Sequence, residues 1–141
     1  MTRSDTTQPS NGAEETAQPT HYVLGGAHVG TAIAERLRDR GHRVAVIDES
    51  YESQDVPGVT GDPTAVDVLS ESGVTSDSTV IVATRSDRRN LLIAQLVRAR
   101  FDGPRVIVFV HDPERRSLFT DAGHESFCVT TTLSDAVGEV V

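Results

Sequence analysis

Gly25, Gly30 and Asp48 are the residues whose types and spacing point most directly to a chemistry. The stretch "HYVLGGAHVG", residues 21–30, starts as an apolar run and ends in glycines. Its spacing is nearly the dinucleotide fingerprint G-x-G-x-x-G. Gly25 fills the first position and Gly30 the last, Ala27 stands in the middle, and Gly26 falls one place early. In such a turn the first glycine permits the bend, the second lets a phosphate approach the backbone, and the third lets the helix pack on the strand. The helix N-terminus then offers N–H groups and a partial positive charge to a diphosphate. Ala27 adds a methyl at the point of approach and keeps its N–H.

Asp48 closes the run "RVAVID", 18 residues after Gly30. A carboxylate there accepts hydrogen bonds from ribose hydroxyls and repels a 2′-phosphate, so NAD(H) is expected in preference to NADP. Glu49 is placed to assist or substitute. In "GDPTAVDVL", Gly61 precedes Asp62 and Pro63. Asp62 is expected to cap a helix with proline at its first position, and to border the adenosine. In "VATRSDRRN", Ala83, Thr84 and Arg85 leave a strand end beside the first strand. There Thr84 faces a ribose or phosphate, and Arg85 faces a phosphate or solvent.

These residues need a scaffold. The runs "HYVLG", "RVAVID", "STVIVAT", "RVIVFV" and "SFCVTT" are short, β-branched and continuously apolar. That is the pattern of parallel strands buried on both faces. Between them, Val29, Ala32, Ile33 and Leu37 share one helical face, as do Leu92, Ile93, Leu96 and Val97. Asp112-Pro113 and Ser86-Asp87 open further helices, and "RDRGHR" closes the first with cations and Gly41. Ala94, Val97, Phe101, Leu118 and Phe119 are core candidates. The expected fold is a doubly wound, Rossmann-like α/β domain, a parallel sheet with helices on both faces, over residues 21–141. Residues 1–20 contain no Val, Ile, Leu or aromatic side chain and are expected to form a disordered tail.

Composition excludes several function classes. The net charge of -8 makes nucleic acid and anionic membranes poor partners. All 13 basic residues are arginine. No apolar run approaches the roughly 18 residues of a membrane span, and no signal peptide is legible, so a cytoplasmic protein is expected. The single cysteine, Cys128, forms no intrachain disulfide. His21, His28, His42, His111 and His124 show no metal-ligand spacing, and no metal site is expected.

With these elements in order, the chain resembles the TrkA-N family, also called RCK-N or KTN, the nucleotide-binding module of Trk/Ktr transporter subunits and ligand-gated potassium channels. The matching residues are "GGAHVG", "AERLRDRGHRVAVID", Gly61-Asp62, "VIVAT", "DRRN" with Asp87 and Asn90, and the closing "DAGHESFCVTTT". The resemblance covers residues 21–137. It implies a cytosolic, non-catalytic subunit that binds NAD(H), or ATP/ADP, and regulates potassium transport. It also implies a homo-oligomer, dimer or ring, and a membrane transporter or channel subunit as partner, placing the chain peripherally at the inner face of the membrane without inserting into it.

By this resemblance Gly25, Gly26, Ala27 and Gly30 hold the diphosphate. His28 and Val29 donate N–H groups, Asp48 holds ribose, and Asp62 and Thr84 border the adenosine. Ala27 replaces the usual middle glycine, and His28 stands where relatives carry Gln or Arg. The family's C-terminal ligand-binding domain does not follow before Val141, which implies a single-domain subunit or a fragment. Two other readings stay open: a nucleotide sensor for an exchanger or a soluble enzyme, and a small NAD-dependent oxidoreductase. The second lacks any lysine, and its two tyrosines, Tyr22 and Tyr51, lie at strands.

Overall fold

Four of the six strands come from the continuous apolar runs, and all six assemble into one parallel sheet. The computed structural model describes residues 18–52 and 55–141. In chain order the elements are β1 (His21–Leu24), α1 (Ala27–Asp39), β2 (Val44–Asp48), β3 (Gly58–Thr60), α2 (Val66–Glu71), β4 (Thr79–Val82), α3 (Asp87–Phe101), β5 (Arg105–Val110), a 3-10 turn (Pro113–Arg115), α4 (Arg116–Asp121), β6 (Glu125–Cys128) and α5 (Val129–Val140). The strand order is β3-β2-β1-β4-β5-β6, and every pairing is parallel. The chain winds outward from β1 to β3, then returns to β4 on the other side of β1. This is the doubly wound, Rossmann-like arrangement, and it opens a crevice beyond the C-terminal ends of β1 and β4.

Alternation along the strands feeds two cores. Tyr22, Leu24, Ala45, Ile47, Val80 and Val82 point to one face, where Leu69 of α2, Ile93, Ala94 and Val97 of α3, and Phe119 of α4 cover them. Val23, Val44, Val46 and Ile81 point to the other, beneath Ala34, Ile33 and Leu37 of α1. Each such side chain withdrawn from water contributes about 1.5–3 kcal/mol. The β2–β3 link holds no helix among its described residues; Val56 and Tyr51 pack on the α1 face instead.

Several expectations shift in detail. Val29 and Leu92 are exposed, and so is Ala32. The core face of α1 is Gly30, Ile33, Ala34 and Leu37, rotated from the one read by apolarity because the glycine, not Val29, meets the strand. Leu118 is exposed while Phe119 is buried. β6 stops at Cys128, and "VTT" begins α5 rather than extending the strand. Ser86 caps α3 and Asp112 caps the 3-10 turn, as expected. Asp62 does not cap α2. Its carboxylate accepts from the N–H and hydroxyl of Thr64, making a turn, and the helix begins only at Val66. The expected tail lies outside the described residues except for 18–20. There Thr20 N–H donates to Arg43 O, and Thr20 O accepts from Thr79 N–H.

Among the described residues, His124 is the buried polar side chain whose placement opposes its chemistry. It is 7% exposed, and among the described residues neither ring nitrogen has a hydrogen-bond partner. Burial, with the Arg98 charge beside it, pushes its pKa below the ordinary value of 6.5. A base whose pKa falls on folding binds more protons unfolded, so its contribution is complete above 6.5 and is lost as pH falls below that value. His21 is shifted in the same direction. The melting temperature is therefore expected to fall between pH 7 and pH 5, less steeply in His124→Leu than in the wild type. Parallel profiles for the two proteins would contradict this.

Candidate functional site

The turn from β1 into α1 is built from three consecutive residues with positive φ: Gly25 at 77°, Gly26 at 94° and Ala27 at 50°. A Cβ at Gly25 would lie 2.5 Å from Thr84 Cγ2, and one at Gly26 would lie 2.9 Å from the Ala83 carbonyl oxygen. One at Gly30 would lie 2.1 Å from the Gly25 carbonyl oxygen. All three glycines are thus required by the protein's own packing. The early glycine, Gly26, lets the turn close over the end of β4. Ala27 carries the left-handed conformation with a side chain, at a cost of about 1–2 kcal/mol.

Asp48 compensates. Ala27 N–H donates to Asp48 Oδ2 at 2.8 Å, while Oδ1 accepts from Ser50 N–H at 2.9 Å and Ser50 Oγ at 3.0 Å. Asp48 as a residue is 8% exposed. Burial pushes its pKa up, but the bonds from Ser50 and Ala27, with Arg89 nearby, outweigh this and hold it below the ordinary carboxylate value. Asp48 is therefore an anion at neutral pH, with one of its roughly four lone-pair sites unused.

Two cavities flank the Ala27–Asp48 bond. One, of about 530 Å³, lies against His28 and Thr31 of α1 and Ser50, Tyr51 and Glu52 after β2. The other, of about 330 Å³, lies toward β4 and touches Gly25, Gly26, Glu49, Pro63, Thr84 and Arg85. The N-terminus of α1 opens here with no side-chain cap and no acidic residue in its first turn. That of α3 is closed by Ser86 and carries Asp87. At α1 the anion comes from outside the helix, since the first N–H, that of Ala27, is met by the Asp48 carboxylate.

The structure thus brings Gly25, Gly26, Ala27, His28, Asp48, Glu49, Thr84 and Arg85 around one crevice, with Asp62 and Gly61 at its β3 edge. Gly61 N–H donates to Asp48 O. Two expected donors are spent internally. Val29 N–H goes to Gly26 O at 2.9 Å, because the turn closes on itself at that residue. The Thr84 hydroxyl donates to Asn90 Oδ1 and accepts from Ser86 N–H. Asn90, fully buried, also donates to Thr84 O and Phe109 O, locking β4, α3 and β5 together. Asp87 accepts from His111 N–H and Asp112 N–H in the same way. Ser50 and Arg89 were not legible as site residues. Ser50 follows Asp48 by two, the spacing of an Asx-type turn. Arg89 precedes the inward-facing Asn90 by one helical position, which turns it toward the crevice.

The model of the TrkA-N domain family matches residues 22–130. The chain belongs to this family. The TrkA-N chain is 27% identical over 115 residues to the Trk system potassium uptake protein TrkA of Mycobacterium tuberculosis, covering 77% of this chain and 52% of that protein. It spans about half the length of that curated relative. Among solved structures it resembles GsuK bound to ADP, with TM-score 0.76, 21% identity, and coverage of 85% of this chain and 33% of that one. The GsuK channel bound to NAD also matches, with TM-score 0.65, 23% identity, and coverage of 79% and 22%. The Kef C-terminal domain of Shewanella denitrificans in an AMP-bound form gives TM-score 0.73, 17% identity, and coverage of 84% and 76%. Among the described residues, no helix of this TrkA-N chain is long and apolar enough to cross a membrane, and no group of three or more His, Cys, Asp or Glu could hold a metal ion.

The turn makes opposite demands at two positions. Ala27→Gly is expected to stabilise the protein by roughly 1 kcal/mol in denaturant unfolding, by relieving the positive φ. Gly30→Ala is expected to destabilise it by roughly 2 kcal/mol or more, since its methyl meets backbone. Equal unfolding midpoints for the two variants would contradict this reading of the turn.

Proposed function

We propose that this chain is a nucleotide-binding regulatory module for potassium transport and that it performs no reaction of its own. The observation that carries the reading is the pairing of two features across one crevice. The N-terminus of α1 opens on a glycine turn with no acidic residue in its own first turn, and the buried Asp48 anion holds that turn by Ala27 N–H at 2.8 Å. The first suits a diphosphate. The second, with a lone pair to spare, suits a ribose hydroxyl and opposes a 2′-phosphate.

NAD(H) is the ligand we assign first, with ADP and ATP as candidates for the same place. GsuK structures bound to ADP and to NAD support that choice. Gly25, Gly26, Ala27, His28 and Gly30 form the diphosphate side, while Asp48, Glu49, Gly61 and Asp62 form the ribose and adenine side. Ala83, Thr84 and Arg85 form the β4 wall. Val29 and Thr84 act there through the backbone shape they hold, since their donors are engaged within the turn and with Asn90.

The partner in this reading is a membrane potassium transporter or channel subunit, with the module on its cytoplasmic side, as the match to TrkA supports. Self-association belongs to the same reading. On α5, Leu133 and Val137 are each 60% exposed. Phe109 stacks on Phe127 at 5.4 Å on the sheet face that α1 leaves open beyond β4. A second copy of this chain is the occupant we assign to these surfaces.

Isothermal titration of the wild type and of Asp48→Asn with NADH, NAD, ADP and ATP tests the site. Binding of at least one nucleotide, weakened by roughly tenfold in Asp48→Asn, is the expected result. Equal affinity in the two proteins, or no binding of any of the four, would overturn the reading.

A further inference from the structure

Arg89 occupies a position that neither the fold nor the glycine turn requires. Its backbone N–H donates to the Ser86 cap at 3.1 Å, in the first turn of α3. From there its side chain crosses to the far edge of the crevice. Nη2 lies 2.5 Å from Glu49 Oε1, beyond β2, and 3.1 Å from Asp62 Oδ1, beyond β3. Asp62 is itself fixed by Thr64 N–H at 2.8 Å and Thr64 Oγ1 at 2.7 Å. Partly exposed ion pairs of this kind contribute little to stability, on the order of 0–1 kcal/mol. Holding a long side chain in one place costs rotamer entropy of similar size. Stability alone gives little reason for the arrangement.

Its geometry gives a better one. Both carboxylates are engaged by one nitrogen at the edge of the guanidinium. Edge contacts leave the flat faces of the group free, and an arginine face stacks on aromatic rings. Arg89 lines the same 330 Å³ cavity as Ala27, Asp48 and the buried Pro63. The cavity therefore holds a planar cation and an apolar ring beside the carboxylate assigned to ribose. We infer that Arg89 is the base-recognition residue of this crevice, steadied by Glu49 and Asp62 so that its guanidinium face stacks on the purine of a bound nucleotide. This inference rests on the nucleotide reading above and adds the base to it. Purines, with the larger ring face, are preferred to pyrimidines. Lysine cannot replace Arg89, because an ammonium keeps the ion pairs but has no face to stack.

Titrating ADP and UDP into the wild type, Arg89→Ala and Arg89→Lys separates the possibilities, with a melting curve for each protein. The wild type is expected to bind ADP more tightly than UDP. Both variants are expected to lose about fivefold or more of the ADP affinity and most of the ADP-over-UDP preference. Arg89→Lys retains the charge between Glu49 and Asp62, so recovery of wild-type affinity and preference in that variant would overturn stacking in favour of charge alone. An unchanged ADP-to-UDP ratio in Arg89→Ala would also overturn it, while ADP binding by the wild type would leave the nucleotide site standing. A wild type that binds neither ligand would overturn the stacking role, and the nucleotide site itself falls only if NADH and NAD fail to bind as well.

Discussion

The Ala27 amide and the Asp48 carboxylate meet at 2.8 Å, and the crevice is organised around that bond. It joins the loop after β1 to the end of β2, the two places that a doubly wound sheet leaves open at its switch point. It also places a buried anion under a residue with positive φ. The anion recovers part of what that conformation costs through a charge-assisted hydrogen bond. Ser50 fixes the other carboxylate oxygen, so the group cannot turn away. Cavities open on both sides of this ridge, at the N-terminus of α1.

The displaced glycine gains a physical meaning from this arrangement. Gly26 is squeezed between the Ala83 carbonyl and the Gly30 backbone, so its missing side chain serves the joint between β1, β4 and α1. Ala27 is then free to carry a methyl, because that position is exposed and only its N–H is needed by Asp48. A fingerprint glycine at this place and an alanine one step after an extra glycine solve the same steric problem differently. The charge distribution follows a similar logic. Asp48, Glu49 and Asp62 gather at the β2 and β3 ends, with Arg89 among them, while the first turn of α1 carries no acid. One end of the crevice suits sugar and base, and the other suits phosphate.

Much of this was legible in the sequence. Continuous apolar runs gave β1, β2, β4 and β5, since strands buried on both faces leave no alternation to misread. Gly25, Gly30 and Asp48 were legible because their types are dictated by backbone geometry and charge. The failures have separate physical causes. Val29 counted as apolar and therefore as core, but the close approach of α1 to β1 is made through Gly30, which turns Val29 to solvent. Asp62 before proline reads as a helix cap, and the Thr64 hydroxyl decided for a turn instead. Arg89 could not be told from Arg85 or Arg88, because its direction depends on Asn90 being drawn inward by Thr84 and Phe109. The strand-like "VTT" became helix once β6 had ended at the edge of the sheet.

A titration of the isotopically labelled protein with ADP and with NADH, followed through its backbone amide NMR signals, shows where a nucleotide sits on the fold. The largest shifts are expected on Gly25, Gly26, Ala27, His28, Asp48 and Ser50, with smaller ones at Asp62, Thr84 and Arg89. Shifts confined to α4, β6 or α5, or spectra unchanged by either ligand at saturating concentration, would contradict a nucleotide site in this crevice.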